Sequence, residues 1–136
     1  MKSASKNTVK MAQDIVADAL NMIRNAKKAR KESLEIKRIS GLLIEVFKIM
    51  KQRGAIKRYK IDSKEKTVEI DIGDLTECRA VKPRFTVKRG QIEKYRRRFL
   101  PARDIGTIII STNKGLITHE EAQEKGTGGS LIAYFY

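Results

Sequence analysis

The chain has 136 residues, which suits one domain or two small lobes sharing an interface, and it is 40% hydrophobic, which supplies a core and excludes global disorder. Thirty Lys and Arg against sixteen Asp and Glu give net +14. That balance attracts polyanions, with nucleic acid the first candidate and an anionic membrane surface the second. A single cysteine, Cys78, excludes an intrachain disulfide and a cysteine-based metal cluster. No apolar run is long enough to span a bilayer, and residues 1–10 do not read as a signal peptide, so a cytoplasmic location is expected.

Residues 1–12 read as a basic flexible tail, with three lysines in the first ten positions. A helix is expected from Asp14, a candidate cap, with Val16, Ala19, Leu20 and Ile23 on one apolar face. It runs into Arg24-Asn25-Ala26-Lys27-Lys28-Ala29-Arg30-Lys31, where five of eight residues are cationic. Cations suit a helix C-terminus, but five exceed what a helix dipole needs, which points to phosphate contact. Alternation over 34–39 predicts a short strand. Ser40 then caps a second helix whose stripe is Leu42, Leu43, Val46, Phe47, Ile49 and Met50, with Gly54 as its stop. Residues 56–61 and 67–72 read as two strands joined by the loop 62–66. The N-terminal part, 13–73, is therefore a helix-strand-helix-strand-strand lobe.

The composition shifts at Gly73-Asp74-Leu75. From Lys82 to Arg98 there are eight cations and one anion, Glu93, interleaved with Phe85, Tyr95 and Phe99. Pro83 and Pro101 bound a helix drawn from about Gln91 to Phe99, which carries Arg96, Arg97 and Arg98. Tyr95 reads as core or interface packing, with base stacking as the alternative if its ring is exposed. Residues 105–110 form a buried strand. Ser111-Thr112-Asn113-Lys114 follow as a polar loop at the rim of that core, and Thr118 and Glu121 make a capping box that starts a short helix ending near Lys125. Gly126-Thr127-Gly128-Gly129 is a tight turn, read as a place where another backbone, RNA among the candidates, comes close, and 131–136 is a closing strand. The C-terminal part, 74–136, is a strand-rich lobe with short helices, so the fold class is α+β.

The sequence supplies little for catalysis. His119 is the one histidine, too few for a metal site or a Ser-His system. The glycine turn follows a helix and opens a strand, the reverse of a phosphate loop. No catalytic residue, metal or cofactor is expected. Small hydroxyls and an amide at 111–113 instead offer donors and acceptors suited to irregular RNA.

The run Ser111-Thr112-Asn113-Lys114-Gly115-Leu116-Ile117-Thr118-His119-Glu120-Glu121-Ala122, with Gly126-Thr127-Gly128-Gly129 and the closing Ala133-Tyr134-Phe135-Tyr136, resembles the small ribosomal subunit protein eight family. Lys82-Pro83-Arg84-Phe85 and Leu100-Pro101-Ala102-Arg103-Asp104 look like its archaeal and eukaryotic branch, and the stretch from Ala17 to Ala26 looks like its first helix. The resemblance implies two α/β lobes and a primary binder of the central domain of small-subunit rRNA, supporting assembly and translation. It implies neighbouring small-subunit proteins as partners, no membrane partner, and a monomer within the ribosome. It carries rRNA contact onto Ser111, Thr112 and, by position, Asn113, places the Gly128-Gly129 turn beside them, and adds Arg24 and Asn25. The charge reading adds Lys27, Lys28, Arg30, Lys31, Lys114 and Arg96 to Arg98. Two departures stand out: Asn113 where the family commonly has serine, and Ser130 where many members have a charged residue.

Overall fold

The computed structural model describes the backbone of residues 2–82 and 84–136 and the side chains of 15–82 and 84–136. The expected tail at 1–12 lies outside the described side chains, and Pro83 lies outside the described residues altogether. Helix α1 spans Lys2–Lys28, so Asp14 falls inside it rather than capping it. The helix ends in a Schellman turn: Lys31 N–H donates to the Ala26 carbonyl at 2.9 Å, and Arg30 N–H to that of Lys27 at 3.0 Å. That turn puts Arg30 in the left-handed region, φ 61°, where glycine is usual.

Strand β1 (Ser33–Ile36) is shorter than expected, and helix α2 (Gly41–Gln52) begins where Ser40 Oγ accepts from Leu43 N–H. Strands β2 (Ile56–Asp62) and β3 (Thr67–Ile72) form the expected hairpin, and Asp62 Oδ1 accepts from Lys64 and Glu65 N–H in its turn. The three strands make an antiparallel sheet of order β1-β3-β2. The residues of α2 that fill the core are Leu43, Val46, Phe47, Ile49 and Met50. Burying each such side chain contributes roughly 1.5–3 kcal/mol.

The second half holds β4 (Cys78–Ala80), β5 (Thr86–Val87), a 3-10 turn at Arg89–Gln91, α3 (Ile92–Phe99), β6 (Thr107–Thr112), β7 (Gly115–Thr118), α4 (His119–Lys125) and β8 (Gly129–Phe135). The sheet runs β4-β8-β6-β7, with β5 also pairing β8. The closing strand is therefore interior to the sheet. Ser111 and Thr112 are not loop residues. They extend β6, which turns through Asn113 and Lys114 alone, with Thr112 paired to Gly115. Leu116 and Ile117 belong to the returning strand, whose burial came without strict alternation and so carried no periodic signal.

One core joins the two sheets. Ile109, Ile132, Ala133 and Phe135 of the second sheet cluster with Val16, Leu20 and Ile23 of α1 and with the stripe of α2. Ile108, Ile110 and Leu131 form a second cluster with Ile92 and Ala122 of α3 and α4. The second sheet is thus apolar on both faces, which is why β6 reads as a continuous run of isoleucine. Cys78 is buried in the first cluster, its thiol donating to the Leu20 carbonyl at 3.4 Å, and burial pushes its pKa up to about 12.

Candidate nucleic-acid interface

A groove of about 970 Å³ opens where β5, the β6–β7 hairpin and the α4–β8 turn meet. It is lined by Thr86 to Arg89, Ser111 to Lys114, Ile117 and Lys125 to Ser130. Its making begins with α4. Thr118 Oγ1 accepts from Glu121 N–H at 3.2 Å, which starts the helix at the expected threonine, while the Glu121 carboxylate accepts from the Thr118 hydroxyl at 3.3 Å and not from its backbone N–H as a full capping box would have it. Gly126, at φ 67°, ends it. The chain then passes through Gly128 and Gly129 into β8. A Cβ on Gly128 would lie 2.2 Å from the Val87 carbonyl oxygen, and one on Gly129 would lie 2.4 Å from that of Ser111. The backbones that come close to this turn are the protein's own, β5 and β6.

The hairpin wall is rigid for a similar local reason. Thr112 Oγ1 donates to the Gly115 carbonyl at 2.9 Å and accepts from Lys114 N–H at 3.2 Å. Its hydroxyl is occupied in holding the turn, which presents Asn113 and Lys114 exposed at the tip. Ser111, half-buried, borders the groove as well. Lys88, Arg89, Lys114 and Lys125, all exposed, give the rim its positive charge.

The expected site residues thus separate into three places. Ser111, Thr112, Asn113, Lys114, Gly128 and Gly129 share the groove. Among the described residues, none from α1 or α3 lines it. At the end of α1, Asn25, Lys27, Lys28, Arg30 and Lys31 are exposed. Arg24 is half-buried and ion-paired to Glu77, the residue before β4, beside a small depression that it shares with Asn21, Arg79 and Lys82.

On α3, Arg96 turns inward. It is 9% exposed and donates from Nε and Nη2 to Glu93 Oε1 at 2.9 and 2.8 Å. Those bonds, with a third from Gln123, hold the Glu93 pKa down at about 2. Arg97 lies 3.8 Å from the same carboxylate, and the Arg98 guanidinium sits over Phe99, 5.7 Å from its centre. Tyr95 packs between Phe85 and Phe99, half-buried against the second core.

Sequence reading missed Thr86, Thr127 and Ser130 as groove residues. It counted Lys88 and Arg89 in a basic run without placing them, and it left Lys125 as a helix end. Only the long-range pairing of the two-residue strand β5 with β8 brings Thr86 there, and nothing local announces that pairing. His119 lines a different depression, near Glu93 and Arg96. Its ring is 1% exposed, and Nδ1 accepts from Ile108 N–H at 3.1 Å, so it fastens α4 to β6. Burial lowers its pKa.

The profile of the family described as ribosomal protein S8 matches residues 14–136. The chain belongs to the ribosomal protein S8 family. It is similar to the small ribosomal subunit protein uS8 of Nanoarchaeum equitans (strain Kin4-M), with 43% identity over 129 residues, 93% of this chain and 100% of that relative. The matched span contains the whole groove. It also contains the cationic end of α1, so both cation-bearing surfaces belong to the family's extent. No helix among the described residues is long and apolar enough to cross a membrane.

Proposed function

We propose that this chain is a structural component of the small ribosomal subunit that binds the central domain of its rRNA, with the groove as the selective contact. Membership of the S8 family makes it a ribosomal protein, and rRNA binding is general in that family. The observation that carries the finer reading is the groove itself: hydroxyl-bearing strands, a rigid two-residue tip and four rim cations converge on one concave surface. Hydroxyls and an amide read the Watson–Crick and Hoogsteen edges that an irregular internal loop exposes, whereas a paired helix is read mostly by shape and by its sugars and phosphates. The cations of the rim and of the α1 end add attraction that is indifferent to sequence. The protein acts by binding in the cytoplasm, as a monomer among neighbouring subunit proteins, without catalysis or a membrane partner.

The test is binding to a short RNA hairpin that carries the central-domain internal loop, beside a fully paired hairpin of equal length. Wild type should favour the loop. Ser111→Ala should erode that preference while leaving the salt slope intact. Thr112→Ser, which keeps both turn bonds, should behave as wild type, whereas Thr112→Val should not. With roughly six to ten phosphates contacted, affinity should fall by about 10³–10⁵ between 50 and 200 mM salt. Equal binding of both hairpins by wild type would refute the site.

A further inference from the structure

His119 has one ring nitrogen to spare. Its Nδ1 accepts from Ile108 N–H at 3.1 Å, so the neutral ring carries its proton on Nε2. Among the described residues Nε2 has no hydrogen-bond partner, yet no buried side-chain nitrogen or oxygen is left unsatisfied. Both hold only if the 1% of the residue that meets solvent includes Nε2. The ring lines a depression of about 490 Å³, which shares no residue with the groove. We propose that this depression docks a peptide segment of a neighbouring small-subunit protein, with a carbonyl of that segment accepting from His119 Nε2–H and an apolar side chain covering Ile105.

The chemistry of the lining selects the occupant. The carboxylates Glu93, Asp104 and Glu120 stand there with the guanidiniums of Arg96 and Arg103. Two of the carboxylates are occupied: Glu93 accepts from Arg96 and Gln123, and Glu120 pairs with Arg53 at 3.5 Å. Asp104 is exposed, and its carboxylate makes no hydrogen bond or ion pair among the described residues. A nearly buried donor and a free acceptor match the two ends of a peptide group, which accepts through its carbonyl and donates through its N–H. Phosphate is matched worse. Three carboxylates against two guanidiniums leave one negative charge over, in a chain of net +14, and like charge at close range opposes a polyanion. The apolar part of the surface adjoins it. Residues 102–105 form a turn in which Ile105 N–H donates to the Ala102 carbonyl at 3.3 Å. That turn supplies Arg103 and Asp104 to the depression and holds Ile105 52% exposed, the more exposed of the two large hydrophobic side chains that the described residues leave in solvent. An aliphatic side chain gains from apolar contact but offers no ring for a base to stack on. An apolar contact beside satisfied polar ones is how protein surfaces meet.

This inference rests on the chain being a small-subunit protein, and the experiment separates the two. Ile105 is replaced by the photoreactive residue p-benzoylphenylalanine in the tagged full chain. Small subunits are purified on a gradient and irradiated, and the cross-linked species are identified by mass spectrometry. One defined segment of one subunit protein should be captured. Adding His119→Asn should lower the yield about 2- to 10-fold, the loss expected for an ordinary hydrogen bond. That change keeps an oxygen for Ile108 N–H and removes the Nε2 donor. Asp104→Lys, at an exposed position that leaves the core untouched, should lower the yield by a similar factor. His119→Asn should still bind the internal-loop hairpin as wild type does, because the groove lies elsewhere. Capture of rRNA alone, no capture, or a protein cross-link whose yield ignores both variants would overturn the proposal. If the chain is recovered in small subunits and Ile105 captures only rRNA, the docking site alone falls. If the chain is absent from small subunits, the reading beneath it falls as well.

Discussion

Replacing Gly129 by alanine asks whether close approach of strands builds the groove. The added methyl would stand 2.4 Å from the Ser111 carbonyl oxygen and 2.7 Å from Ile110 Cγ2. Ordinary contact begins at 3.4 Å, so the carbonyl must retreat by about 1.0 Å (3.4 − 2.4). It belongs to backbone, and β6 is held to β8 through Ile110↔Leu131 and Ser111↔Ser130, so no side chain is free to swing aside in its place. A ladder bond near 2.9 Å stretched by that amount falls outside hydrogen-bonding range. Losing one or two such bonds costs about 0.5–1.5 kcal/mol each. Overpacking adds roughly 1–3 kcal/mol. The expected loss is therefore about 1.5–6 kcal/mol out of a typical total of about 5–15. Urea unfolding followed by circular dichroism should show a lower midpoint with an unchanged slope. Gly41→Ala is the control, because it opens α2 with nothing within 4 Å of the new methyl, and it should be neutral or slightly stabilising. If Gly129→Ala stays within about 0.5 kcal/mol of wild type, the ordinary range for an unconstrained surface change, the close-packing account is wrong.

Two further outcomes are expected. Arg30→Gly should relieve about 1–2 kcal/mol of left-handed strain and return about 0.4–1 through a looser unfolded chain, a small net gain in stability. The same change should weaken RNA binding and flatten its salt slope by about 0.9, so equal losses of stability and affinity would contradict the reading. His119 gives a pH signature. Its folded pKa is depressed below 6.5, so the unfolded chain binds the proton first and stability, complete above pH 6.5, is lost as pH falls below it. The slope is at most about 1.4 kcal/mol per pH unit. His119→Asn offers Oδ1 to Ile108 N–H and should flatten the profile between pH 6.5 and 5; an unchanged profile would assign the loss elsewhere.

How much was legible follows from whether the signal was local. The stripe of α2, the Ser40 cap, the 62–66 turn and the Thr118 cap are written within a few residues, and each stands where expected. The start of α1 was misplaced because Asp14 is a good capping residue that the chain does not use as one. Strands β4, β5 and β7 were not drawn. They hold two to four residues each, and β7, paired along one side to β6, exists because Thr112 closes a turn too short to be recognised from composition. The groove was half visible: its polar tip and its glycines were singled out, but Thr86 and Ser130 meet only through a pairing 44 residues apart in sequence.

The basic run 82–98 shows why counting charge differs from placing it. Arg96 is buried against Glu93, so it is not presented to a polyanion as an exposed rim cation is, whereas Arg98 is exposed over an aromatic ring. Lys88 and Arg89 come from the same run and border the groove. Removing charge from the two places should therefore do different things. Arg89→Ala should reduce the magnitude of the salt slope by roughly 0.9 and leave unfolding almost unchanged. Arg96→Ala should leave the slope nearly intact and lower stability, because Glu93 then loses the two bonds that hold it ionised within a partly buried site. Its cost should shrink in acid, since stability from a carboxylate with a lowered pKa is present above pH 4.5 and is lost as pH falls toward 2. Urea unfolding at pH 7 and pH 3, with RNA titrations at several salt concentrations, measures both. A salt slope that fell with Arg96 and held with Arg89 would mean that the α3 face, and not the groove rim, meets the phosphates.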